Sequence, residues 1–145
     1  MLHAYCIDRA GNGPESETFF LVLAADLTRY ICEQTPSGPK MKELKINTTK
    51  LYERAERKCE RLHYCSAVRM SRDLHHANFA HEFLNDTSLA LKIAEASVLK
   101  AQATLHTTDE DTYVEANHLM ELLKENQAIW KGQDPTMINV NADMD

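Results

Sequence analysis

The chain has 145 residues, of which 43% are apolar and 26% charged, with a formal net charge of −6. That length holds one domain, and the acidic balance argues against a general nucleic-acid or membrane-surface binder, both of which present a basic face. No signal-peptide pattern opens the sequence, and its longest apolar run, Phe19 to Ala25, is too short to span a bilayer, so a soluble cytoplasmic protein is expected.

Gly and Pro are scarce, at four each, which favours helices joined by short connections. Residues 1–7 read as the stub of a helix and residues 8–15 as a loop by composition. A first helix is expected from about Ser16. Phe19, Leu23, Leu27 and Tyr30 recur there at helical spacing, and Phe20 and Ile31 widen the stripe. The run from Thr35 to Pro39 ends it. A second helix is expected from about Lys42 to Leu62, with Leu44, Leu51, Ala55 and Cys59 inward and a charged outer face. A third follows from about Ala67 to Leu84. Asn85 to Ser88 breaks the pattern and supplies caps for a fourth, whose Leu91, Ala94, Val98, Ala101 and Leu105 fall at alternating four- and three-residue steps. The pairs Thr107 with Glu110 and Thr108 with Asp111 have capping-box spacing and open a fifth, running to about Lys131. Residues 133–145 carry three Asp and no basic residue, and read as a disordered acidic tail. The four cysteines, Cys6, Cys32, Cys59 and Cys65, form no CxxC pair, so they read as small buried residues rather than as a zinc or redox site. The expected fold is all-α, an antiparallel bundle of about five long helices. That architecture names no function.

Three stretches carry a resemblance. Leu119-Met120-Glu121-Leu122-Leu123-Lys124-Glu125-Asn126-Gln127-Ala128-Ile129-Trp130 resembles the closing helix of 14-3-3 proteins. Glu82-Phe83-Leu84-Asn85 resembles that family's Glu-Ile-Leu-Asn turn, and Asp26-Leu27-Thr28-Arg29-Tyr30 resembles its Asp-Tyr-Tyr-Arg-Tyr. The three lie in order at the family's separations, with no gap between Asp26 and Trp130. The resemblance implies a half-domain over residues 1–132, corresponding to the C-terminal half of a nine-helix fold. It implies a non-enzymatic adaptor that binds phosphoserine or phosphothreonine peptides of client proteins in a helical groove, without cofactor or metal. The family's N-terminal helices build its dimer interface and supply two phosphate-binding cations. Nothing here matches them, so a monomer or a non-standard association is expected, and the chain also reads as a fragment of a longer one.

The site residues follow from the same resemblance. Arg29 and Tyr30 match the pair that holds the phosphate, a task suited to a planar guanidinium fork and a phenol donor. Leu74, His75, Asn78 and Glu82 match one groove wall, with His75 where the family has a backbone-binding Asn and Asn78 where it has Val. A histidine's charge varies near neutral pH, so altered peptide selection is expected there. Leu119, Leu122, Asn126, Ile129 and Trp130 match the opposite wall, and the Asn126 amide offers both a donor and an acceptor to an extended backbone. Val22 stands where the family has a pocket Lys. Read from the residues alone, Arg29 is equally a surface ion-pair arginine, Tyr30 a tyrosine packed between helices, His75 a partly exposed helix histidine, and the leucines plain core.

Two other readings belong beside this one. The first is a degenerate member that binds an unphosphorylated protein partner through apolar helix faces. The second is a metal-dependent helical-bundle enzyme. Glu60 with His63, Asp73 with His76, and Glu115 with His118 each place a carboxylate and an imidazole one helical turn apart, as di-metal bundles do.

Overall fold

The computed structural model describes residues 13–132. The expected stub at 1–7, most of the loop and the acidic tail at 133–145 lie outside the described residues. Five α-helices follow: α1 Pro14–Gln34, α2 Pro39–Lys58, α3 Ala67–Glu82, α4 Thr87–Thr104 and α5 Glu110–Trp130. Short 3₁₀ turns, Cys59–Arg61 and Leu105–Thr107, extend α2 and α4. No strand occurs among the described residues, and none of their helices is long and apolar enough to cross a membrane.

The helix ends have physical causes. Both α1 and α2 begin at a proline preceded by glycine, with no side-chain cap. A proline at the first helical position loses nothing, because its missing N–H would have no intrahelical partner. Gly38 takes φ 151°, which a side chain would strain. The other three helices carry side-chain caps from Ser66, Asp86 and Asp109, which accept from the backbone N–H of Arg69, Leu89 and Thr112. The fifth helix is thus capped by Asp109, not by the threonines that the spacing suggested. Thr107 and Thr108 instead donate back to the carbonyls of Thr104 and Leu105 and close the 3₁₀ turn. Asn85, at φ 52°, makes the left-handed step between α3 and α4.

Helix α3 lies at the centre and contacts each of the other four. On one side, α1 and α2 enclose Leu21, Val22, Ala25, Tyr52 and Ala55, with Phe79 of α3 completing that core. On the other side, Met70 of α3 packs with Ala94, Val98 and Ala101 of α4 and Ala116, Met120 and Leu123 of α5, while Ala77 and Ala80 pack with Ala90 of α4. Alanines dominate the α4 face, which lets its backbone approach its neighbours closely. Phe79 is fully buried, and truncating it to alanine is worth about 3–5 kcal/mol.

The first helix corrects an expectation. Its stripe of Phe19, Leu23, Leu27, Tyr30 and Ile31 is not the inward face; those residues are 42–62% exposed. The helix turns Thr18, Leu21, Val22, Ala25 and Cys32 inward instead. Along α2, Ala55 and Cys59 are buried as expected, with Leu44 and Leu51 half-buried; Thr48 and Tyr52 join them.

Candidate functional site

Helix α3 sits between α1 and α5, and the sequence-selected residues fall on these three helices. Arg29, on α1, is half-buried. Its guanidinium makes no ion pair or hydrogen bond to a described residue, and its Nε is buried without a partner. The surface ion-pair arginine is therefore not what the structure contains. Nor is Tyr30 packed between helices: it is 62% exposed.

One turn before Arg29, Asp26 organises the junction of three helices. Its Oδ1 accepts from the Tyr52 hydroxyl of α2 at 2.8 Å, and its Oδ2 lies 2.6 Å from Nδ1 of His75 on α3. Burial, then the Asp26 carboxylate, pushes the Tyr52 phenol far above its ordinary range, so it acts only as a hydrogen-bond donor. With both oxygens of Asp26 engaged elsewhere, Arg29 lacks the carboxylate nearest to it in sequence. Asp26 was visible as the first residue of its motif, but nothing in one sequence tells that it joins α2 to α3.

Farther along α3, Asn78 accepts a hydrogen bond from Asn126 of α5 at 3.0 Å, so the two amides the sequence singled out meet. Glu82 is exposed and Leu74 half-buried. On α5, Leu119 and Trp130 pack partly onto the core, Leu122 is half-buried and Ile129 is 54% exposed. The Trp130 ring also stacks on His81, with centroids 5.2 Å apart. The leucine-rich wall is thus shared between core and surface.

The three carboxylate–histidine pairs do not converge. His63 bonds Thr107 and the Cys65 backbone, His76 is buried against Tyr52, and His118 is exposed on α5. Among the described residues no group of three or more metal-ligating side chains comes together. His76 belongs to a buried polar cluster in which Arg72 donates to the Tyr52 carbonyl at 3.3 Å, lies 3.2 Å from His76 Nδ1 and pairs with Asp73 at 2.7 Å. Burial, helped by the Arg72 charge, lowers the His76 pKa to about 4, so the ring is neutral at pH 7.

These features define an all-α helical bundle with polar side chains exchanged between its central helix and two neighbours. A family profile described as "14-3-3 protein" matches residues 1–131, and the chain belongs to the 14-3-3 family. It is 30% identical over 131 residues to the 14-3-3 protein theta of Homo sapiens, covering 90% of this chain and 53% of that protein. It is 27% identical over 128 residues to a 14-3-3 protein homolog of Encephalitozoon cuniculi (strain GB-M1), covering 88% and 49%. It is 29% identical over 121 residues to the 14-3-3 protein beta/alpha-B of Xenopus laevis, covering 83% and 49%. The chain spans about half the length of the relatives it matches.

Proposed function

We propose that this chain is a cytoplasmic, non-enzymatic adaptor that reads phosphoserine or phosphothreonine segments of client proteins across α1, α3 and α5. The observation that carries this reading is Arg29. A half-buried guanidinium normally finds an acceptor, because an unpaired buried donor costs about 1–3 kcal/mol. This one has none among the described residues, and a phosphate oxygen supplies what is missing. Tyr30 beside it is exposed and offers a phenol donor. His75, Asn78 and Asn126 then stand along α3 and α5 as polar contacts for an extended backbone, with Leu122 and Ile129 as apolar ones. Leu119 and Trp130 serve more as packing.

A pocket with one arginine binds phosphate less tightly than one with several cations, because each charged contact contributes about 1.5–3 kcal/mol. Val22 adds no charge, and it is buried. The test is fluorescence anisotropy with a phosphoserine peptide and its unphosphorylated twin, on the wild type and on Arg29→Ala. The expected result is phosphate-dependent binding that the variant loses. Equal binding of both peptides, or binding of neither, sinks the reading.

A second reading, an interaction module for an unphosphorylated partner, is favoured by the exposed stripe of α1. Five large apolar residues on one helix face make a patch that marks association. In that case the unphosphorylated peptide, or a folded partner, competes with nothing at Arg29.

A further inference from the structure

The side of α3 that faces away from Asn78 and Glu82 borders a second concavity. Leu74, Asn78 and Glu82 share one side of the helix by their spacing, and Arg69, Arg72 and Asp73 turn to the other. On that side a cavity of about 220 Å³ lies between the end of α2, the 62–66 connection, α3 and α4. It has room for roughly seven waters.

Its charge is not balanced from within. Four cations and two carboxylates line it, an excess of two positive charges in a chain whose net charge is −6. Arg72 is neutralised by Asp73 at 2.7 Å. Lys92 and Lys100, two turns apart on α4, form no ion pair with a described residue, and Glu56 is the remaining carboxylate. Arg69 directs one nitrogen at the carbonyls of Cys59, Glu60 and Leu62, which fixes the guanidinium without cancelling its charge. The Tyr64 ring gathers two of these cations, with Arg69 Cζ 4.4 Å and Lys100 Nζ 5.6 Å from its centroid. Like charges held this close repel, and an anion between them relieves the repulsion.

The wall of the cavity also carries a buried hydroxyl. Ser97 is 6% exposed, and its Oγ lies beside the Asp73 carboxylate, whose Oδ1 accepts from Arg72.

We propose that this cavity is a binding site for a phosphate group, held by Lys92, Lys100 and Arg69 with Ser97 beneath. It is separate from the Arg29 reading and does not rest on it. The phosphate comes either as a free anion or on a small phosphorylated molecule such as phosphoserine, and the chemistry at the site is the same.

The experiment is an amide-shift NMR titration of the full chain with inorganic phosphate, at constant ionic strength, on the wild type, Arg29→Ala and the double variant Lys92→Ala/Lys100→Ala. Saturable shifts in residues 92–100 are expected in the wild type and, unchanged, in Arg29→Ala. The double variant should bind roughly a hundredfold more weakly, about tenfold for each lysine contact. Both lysines are exposed, so folding should be preserved; if it is not, the single variant Lys100→Glu makes the same test. Repeating the titration with free phosphoserine separates the sources: tighter binding assigns the site to a phosphorylated molecule, equal binding to the free anion. Shifts that vanish in Arg29→Ala but persist in the double variant overturn the proposal, as does the absence of saturable shifts in any protein.

Discussion

Asp26 and His75, 49 residues apart in sequence, meet at 2.6 Å and tie α1 to α3. The same carboxylate accepts from Tyr52, whose side chain is fully buried. Replacing Asp26 with alanine leaves that phenol without an acceptor, at a cost of about 1–3 kcal/mol. His75→Ala removes the other half of the junction, which is half-exposed, and should cost clearly less. Urea denaturation of the two variants checks the order. A larger loss for His75→Ala would mean that the imidazole, not the phenol, is the member that needs Asp26.

His76 sets a slope of stability with pH. The unfolded chain protonates this residue near pH 6.5, whereas the folded protein resists protonation down to about pH 4 because the ring is buried beside Arg72. As pH falls through that window the unfolded state alone takes up a proton, so stability declines by up to about 3 kcal/mol and then levels off. Burial raises the pKa of Asp73, which works in the opposite direction. The difference between the wild type and His76→Phe isolates the histidine. The variant should show a flatter profile between pH 6.5 and 4, and matching slopes would refute the assignment.

Arg69 acts as a remote cap for α2. Its Nη1 donates to the carbonyls of Leu62, Cys59 and Glu60 at 2.7, 3.0 and 3.3 Å, groups at the end of that helix, where the Cys59 carbonyl also accepts from the Leu62 N–H. Arg69→Ala should lower stability by about 2 kcal/mol. Arg69→Lys should recover only part of it, because an ammonium is a point donor on a flexible stem. Thermal or urea unfolding decides. A full rescue by lysine would show that charge near the helix end, rather than the directed bonds, is what matters.

Arg29 is expected to separate binding from folding. It has no bond within the described residues to lose, so Arg29→Leu should leave stability within about 0.5 kcal/mol of the wild type, or raise it. The same change should abolish phosphate-dependent peptide binding. A loss of 2 kcal/mol or more in urea would instead make Arg29 a structural residue and remove the main support for the proposed receptor site.

The sequence exposed the helices readily, because their breaks are chemically marked: Thr35 to Pro39, Asn85 to Ser88 and the threonine–aspartate run before α5. Boundaries moved by only a few residues, mainly because Pro14 and Pro39 begin helices rather than precede them. Periodicity identified the faces less well. It marks an apolar stripe but not whether another element covers it, and the exposed Phe19, Leu23 and Leu27 show the difference. At the candidate site, the motif text selected Arg29, Asn78 and Asn126. It held no information on the Asn78–Asn126 bond or on the bridging role of Asp26, since both depend on how α3 sits against its neighbours. The surroundings of Ser97 are of the same kind, because a lone serine on an alanine-rich helix face carries no signal until its partners are located.

The unequal capping of the helices bears on the order in which they form. α3, α4 and α5 each carry an oxygen that secures their first turn, so part of the cost of nucleation is met by neighbours in sequence. α1 and α2 have only a proline there and depend on each other and on Phe79 and Tyr52 for their stability. The transition state for folding should therefore be built from the last three helices, with high φ-values at Val98 and Leu123 and low ones at Leu21 and Ala55. Native-state hydrogen exchange should find α1 and α2 opening together at a lower free energy than the rest. Arg29, the arginine of the proposed site, would then sit on the half of the molecule that assembles last and comes apart first.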